Sequence, residues 1–124
     1  KDMLRIVAAH DIPYAATACS SYPLDYMEKV KKASQVNGPT YIHILTPCPT
    51  GWGFPPDETI EIGRMAVESG LWKLTEFENG ELRTTYTPKR SRPVSEYMAA
   101  QTRFRHLSPE QVAAIQKEID AARD

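Results

Sequence analysis

Two cysteines in 124 residues are too few for a disulfide framework, and Cys19 and Cys48 do not form a C-x-x-C pair. They read as reduced thiols, which points to a cytoplasmic protein. No apolar run approaches the ~20 residues of a membrane-spanning helix, so no membrane partner is expected. Charge of one sign is also missing: 15 Lys and Arg stand against 16 Asp and Glu, for a net charge of -1. No basic stripe interleaves with aromatics, and no nucleic acid is expected as a partner. Internal repeats and low-complexity tracts are absent. The N-terminal Lys1-Asp2-Met3-Leu4 runs straight into an amphipathic segment and has no signal-peptide pattern. The chain does not begin with methionine and reads as a piece of a longer protein.

Proline and glycine, by contrast, punctuate the chain where chemistry is to be expected. Residues 38–53 (GPTYIHILTPCPTGWG) are its organising stretch. Tyr41, Ile42, Ile44 and Leu45 predict a buried strand. Pro47 and Pro49 lack backbone donors and end the sheet ladder there. Cys48 is thereby held on a stiff loop at the carboxyl end of a strand, the end where open α/β sheets collect ligands.

Upstream, residues 3–10 predict a helix stopped at Asp11-Ile12-Pro13, and the small apolar residues 12–19 predict a buried strand. Pro23 suits the first turn of a second helix, with Leu24, Met27 and Val30 as its inward stripe. Glu28, Lys29, Lys31 and Lys32 are expected to face water. Two strands joined by one crossover helix are parallel, and a parallel sheet needs both faces covered. Residues 1–47 therefore read as the end of a larger doubly wound sheet. Downstream, Asp57 is expected to cap a helix ending at Gly70, and Asn79-Gly80 predicts a hairpin. Residues 87–92 read as a solvated basic linker and residues 93–100 as a short helix. Ser108-Pro109-Glu110-Gln111 predicts a capping box opening a last helix, which carries a narrow docking stripe of Val112, Ile115 and Ile119.

Cys48 admits three readings. It is a packed, inert thiol; or it is one rigid ligand of a metal or iron–sulfur site whose other ligands lie elsewhere; or it is a nucleophile. The last needs a base, and His43, five residues back, falls on the opposite face of an extended strand. Cys19 ends the preceding strand, at the same sheet edge as Cys48 if the two strands are neighbours, and is read as a small packed side chain. His43 reads as a core or interface residue, and His10 and His106 carry no motif. Trp52 and Phe54 either wall a substrate or pack their own loop down.

Residues 12–18 (IPYAATA), Tyr22-Pro23, residues 38–43 (GPTYIH), residues 47–52 (PCPTGW) and residues 61–70 (EIGRMAVESG) together resemble one family. It is the C-terminal part of the β, thiamine diphosphate-binding subunit of pyruvate:ferredoxin and related 2-oxoacid:ferredoxin oxidoreductases. Residues 103–107 (RFRHL) are similar to its C-terminal region. The resemblance implies an α/β fold: residues 1–49 end a doubly wound, parallel-sheet thiamine diphosphate-binding domain, and residues 50–124 form an extension of helix, hairpin and docking helices. It implies oxidative decarboxylation of a 2-oxoacid, pyruvate first, on thiamine diphosphate and Mg²⁺. Electrons pass through [4Fe-4S] clusters to ferredoxin, and coenzyme A takes the acyl group. Cys48 matches the late cysteine ligand of the cluster nearest the thiamine. The early cysteine trio and the Gly-Asp-Gly pattern for Mg²⁺ and diphosphate do not occur in this sequence. The implied partners are therefore the N-terminal part of the β subunit and the other (α, γ and δ type) subunits. A structural or assembly module without chemistry is the alternative, and a free-standing thiol hydrolase a third reading.

Overall fold

The computed structural model describes residues 2–122. They form two compact units, residues 2–45 with 73–87, and residues 46–72 with 88–122.

The first unit opens with helix α1 (Met3–Ala8), whose N-cap Asp2 accepts the Arg5 N–H. Strand β1 (Tyr14–Cys19), helix α2 (Pro23–Gln35) and strand β2 (Thr40–Leu45) follow, and β1 and β2 pair in parallel, from Tyr14 opposite Thr40 to Cys19 opposite Leu45. The expected βαβ unit is present. β1 is almost wholly buried because it is central: its other edge takes strand β3 (Leu74–Glu78) antiparallel. β3 turns through Asn79 (φ 52°) and Gly80 (φ 87°) into β4 (Glu81–Tyr86). Two consecutive positive φ values are the geometry an Asn-Gly hairpin supplies. The sheet order is β2-β1-β3-β4, so the hairpin extends the same sheet as the βαβ unit.

Three expectations are corrected in this unit. β2 is not buried; it is the edge strand, with Thr40 and Ile44 exposed and its other residues half-buried. The α2 stripe does not face inward: Leu24, Met27 and Val30 are 79%, 65% and 45% exposed. Lys29, expected in water, is buried instead. A crossover helix can set its apolar face toward the sheet or away from it, and periodicity does not say which. Here the ammonium decides, because it donates to the Thr17 carbonyl at 2.8 Å and to Asp25 at 2.5 Å. A buried charge is tolerated when it is paired in this way. Burial still pulls the Lys29 ammonium down from its usual range, and Asp25 opposes that.

Glu76 is the second buried charge of this unit. It accepts from Tyr14 Oη at 3.0 Å and Lys32 Nζ at 2.7 Å, and pairs with Arg83. Burial pushes its carboxyl up, but these three donors outweigh burial and hold it below the usual carboxylate range. The Tyr14 phenol is driven above its normal range by burial and by this carboxylate.

The second unit contains the short helix α3 (Pro49–Trp52), a 3-10 turn (Pro56–Glu58), α4 (Thr59–Glu68), α5 (Val94–Ala99), a second 3-10 turn (Thr102–Phe104) and α6 (Pro109–Ala121). Its core is Phe54, Ile62, Ala66, Val67, Val94, Tyr97, Met98 and Ile119. Asp57 does not cap α4: it lies within the 3-10 turn, and Glu58 occupies the N-cap without a side-chain bond. Ser108 and Gln111 form the expected capping box. Arg92 is not a solvated linker residue. It pairs with Glu61, Glu68 and Glu96 and is only 13% exposed, because three carboxylates from two helices converge on it.

Candidate functional site

The chain leaves β2 at Leu45, and the buried Pro47 leads into Cys48. Residues 49–52, expected as loop, coil into α3 with Cys48 as its N-cap. Proline at the first helical position fits this, since its missing N–H would have no helical partner there. Cys48 Sγ takes the place of a capping oxygen, accepting the Gly51 N–H at 3.4 Å. The Trp52 N–H donates to the Cys48 carbonyl at 2.9 Å, and Gly53 closes the turn with its N–H on Pro49 O at 2.9 Å. Gly53 sits at φ 74°. Cys48 is exposed, whereas Cys19 is buried at the end of β1. Burial pushes the Cys19 thiol up, away from thiolate. Of the two sulfurs, Cys48 is the one free to meet another group.

The 3-10 turn and its flanks pack on α3. Thr102 N–H donates to Gly53 O at 3.0 Å. A Cβ at Gly53 would lie 1.8 Å from Thr102 Oγ1, and one at Gly51 would lie 3.3 Å from Cys48 Sγ. The Arg103 guanidinium carbon stands 3.8 Å from the Trp52 ring centroid and 4.4 Å from that of Phe104. Its Nε donates to Gln101 Oε1 and its Nη2 to Tyr97 Oη, both at 2.9 Å. Buried Gln101 is itself fixed by a bond to Tyr97 O at 2.6 Å. Trp52 and Phe54 meet edge to face at 6.3 Å, and Phe54 packs the loop down.

Sequence reasoning placed no role on Arg103, Gln101, Tyr97 or Thr102. The available signal was a cation next to an aromatic in RFRHL. His43 stands on β2 opposite Thr17, its ring 6.1 Å from that of Tyr41. His10 and His106 are exposed. Among the described residues no three His, Cys, Asp or Glu side chains group to hold a metal. Cys48 therefore offers one soft ligand, and a metal centre would draw its other ligands from elsewhere. No helix among the described residues is long and apolar enough to cross a membrane.

A four-stranded mixed sheet built on a parallel βαβ unit, with helices, defines an α/β protein. Comparison with curated proteins gives the family. The chain is 59% identical over 120 residues to pyruvate synthase subunit PorB of Methanocaldococcus jannaschii, covering 97% of this chain and 40% of that subunit. It is 56% identical over 121 residues to the subunit of the same name from Methanothermobacter marburgensis, covering 98% and 42%. It is 43% identical over 119 residues to ketoisovalerate oxidoreductase subunit VorB of Pyrococcus furiosus, covering 94% and 38%. No family model matches the chain. The chain belongs to the family of these 2-oxoacid oxidoreductase β-type subunits, as the PCPTGW string and its flanking segments imply. It spans about 40% of the length of the first of these relatives.

Proposed function

We propose that the chain is part of a 2-oxoacid:ferredoxin oxidoreductase of the cytoplasm and that Cys48 gives one thiolate to a [4Fe-4S] cluster. The observation that carries this reading is the PCPTGW turn: an exposed sulfur positioned by backbone, in a chain 59% identical to a pyruvate synthase subunit. A thiolate donor that accepts a backbone N–H bond suits iron–sulfur ligation. When bound, the cluster supplies one-electron transfer from oxoacid oxidation toward ferredoxin.

What this chain does is narrower. Pro47 and Pro49 stiffen the backbone on both sides of the sulfur. The Gly51 N–H orients a lone pair of Cys48, and Gly53 lets the 3-10 turn pack against α3. No residue here is assigned to thiamine diphosphate, Mg²⁺ or coenzyme A. Those groups, the remaining cluster ligands and further strands belong to the rest of the assembly: the N-terminal part of the β subunit and other subunits of α, γ and δ type. The open edge of β2 and the exposed Leu24, Met27 and Val30 support this, since both offer surface for additional protein. Pyruvate is the first candidate oxoacid, because relatives at 59% and 56% identity carry its name. Nothing in these residues selects it over a branched oxoacid.

The same exposed surface also suits a docking module without chemistry, and one experiment separates the two. Cys48→Ser replaces a soft ligand by a hard one. In the assembled enzyme it is expected to lose or convert one cluster, seen by iron analysis and electron paramagnetic resonance, and to lose ferredoxin reduction. Full iron content with unchanged ferredoxin reduction leaves only the docking role.

A further inference from the structure

We infer that Arg103 is the positioning residue of the Cys48 turn: its guanidinium clamps Trp52 and through it fixes the hydrogen bond that the Cys48 sulfur accepts. This rests on the cluster-ligand reading of Cys48 and extends it to a residue that acts through Trp52.

α3 is four residues long. A single helical turn does not hold itself together in water, because nucleation costs more than one turn of bonds returns. Something outside the turn must hold it. The structure shows two holds: the Thr102 N–H on Gly53 O, and the Arg103 guanidinium over the Trp52 ring. The first acts at the far end of the turn. The second acts on the residue whose N–H bonds the Cys48 carbonyl and which follows the Gly51 donor to Sγ. Movement of Trp52 is therefore passed by backbone to the sulfur.

Arg103 is built as a rigid part. One side of its fork is bonded to buried Gln101, the other to the hydroxyl of buried Tyr97, and its plane also meets Phe104. A guanidinium can use two donors and a flat face at once; an ammonium is a point charge with neither fork nor face. The role thus belongs to shape as well as to charge, and lysine is not an equivalent. Hydrogen bonds to cluster sulfurs help to set the reduction potential. Losing the clamp weakens the Gly51 bond to Sγ, which makes the cluster harder to reduce and easier to lose.

The test uses the assembled oxidoreductase carrying Arg103→Lys, Arg103→Met, Trp52→Leu, Arg105→Gln or Cys48→Ser. It measures the reduction potential and paramagnetic resonance signal of each cluster, and the rate of iron loss to a chelator. Both Arg103 variants and Trp52→Leu are expected to lower the potential of one cluster, the one Cys48→Ser abolishes. They are also expected to speed its iron loss, by about 10-fold if the whole of the low-end loss in metal affinity for a removed ligand-orienting group appears in the off-rate. Arg105→Gln removes the same charge from an exposed neighbour and is expected to match the parent. If Arg103→Lys matches the parent while Cys48→Ser loses the cluster, the positioning role is overturned and the ligand reading stands. If Cys48→Ser keeps all its iron, the ligand reading fails first. Should Arg103→Met not assemble, Arg103→Lys and Trp52→Leu decide the question.

Discussion

The Lys29 ammonium lies 2.8 Å from the carbonyl oxygen of Thr17, so a helix side chain satisfies a backbone acceptor of the central strand. With Asp25 as its second partner, Lys29 fixes which face of α2 meets the sheet. Lys29→Met retains the aliphatic stem but strands Asp25 and the Thr17 carbonyl. Breaking a buried pair from one side costs about 3 kcal/mol. Urea unfolding is expected to show that loss, and the double variant Lys29→Met/Asp25→Leu is expected to recover part of it. Equal stability of Lys29→Met and parent would remove the anchor role.

Glu76 makes the first unit sensitive to acid. Its folded carboxyl is held below the usual range, burial being outweighed by Lys32, Arg83 and Tyr14. A depressed carboxylate contributes stability that is present above the unfolded pKa and is lost as pH falls through the folded one. Glu76→Gln is therefore expected to be less stable than the parent at neutral pH, with the gap closing as pH drops below the ordinary glutamate range. Thermal melts at a series of pH values would read this directly. A gap that stays constant from neutral pH into acid would refute the linkage.

Gly53 has no room for a side chain. At φ 74°, with Thr102 Oγ1 1.8 Å from an ideal Cβ, alanine must both strain the backbone and push the 3-10 turn away. Gly53→Ala is expected to cost about 1–3 kcal/mol, the range for a strained backbone residue. Trp52 fluorescence is expected to shift as the indole loses its Arg103 cover. Gly80→Ala serves as the comparison, since its φ is also positive but no atom lies within 4 Å of its Cβ. A Gly53→Ala cost no larger than that of Gly80→Ala would show that the Thr102 contact is dispensable.

Local chemistry made much of the chain legible. The Ser108–Gln111 box, the Asn79-Gly80 hairpin and the Pro23 start of α2 each depend on residues within one turn. They form as read because nothing distant competes with them. The rigid sulfur at Cys48 was legible for the same reason, although its short helix was not: a four-residue turn leaves no periodicity to detect.

The sequence by itself determined the longer helices and the strands, the parallel βαβ order and the sulfur between two prolines, together with a family resemblance spread over nearly the whole chain. Only the tertiary structure decided which face of α2 lies inward, that β2 is an edge, and that Arg92 and Arg103 hold loops rather than meet water. Tyr14 and its acceptor Glu76 are 62 residues apart, and Arg92 and Glu61 are 31 apart. A charge is buried or exposed according to whether such a distant partner arrives, and no local pattern encodes that arrival.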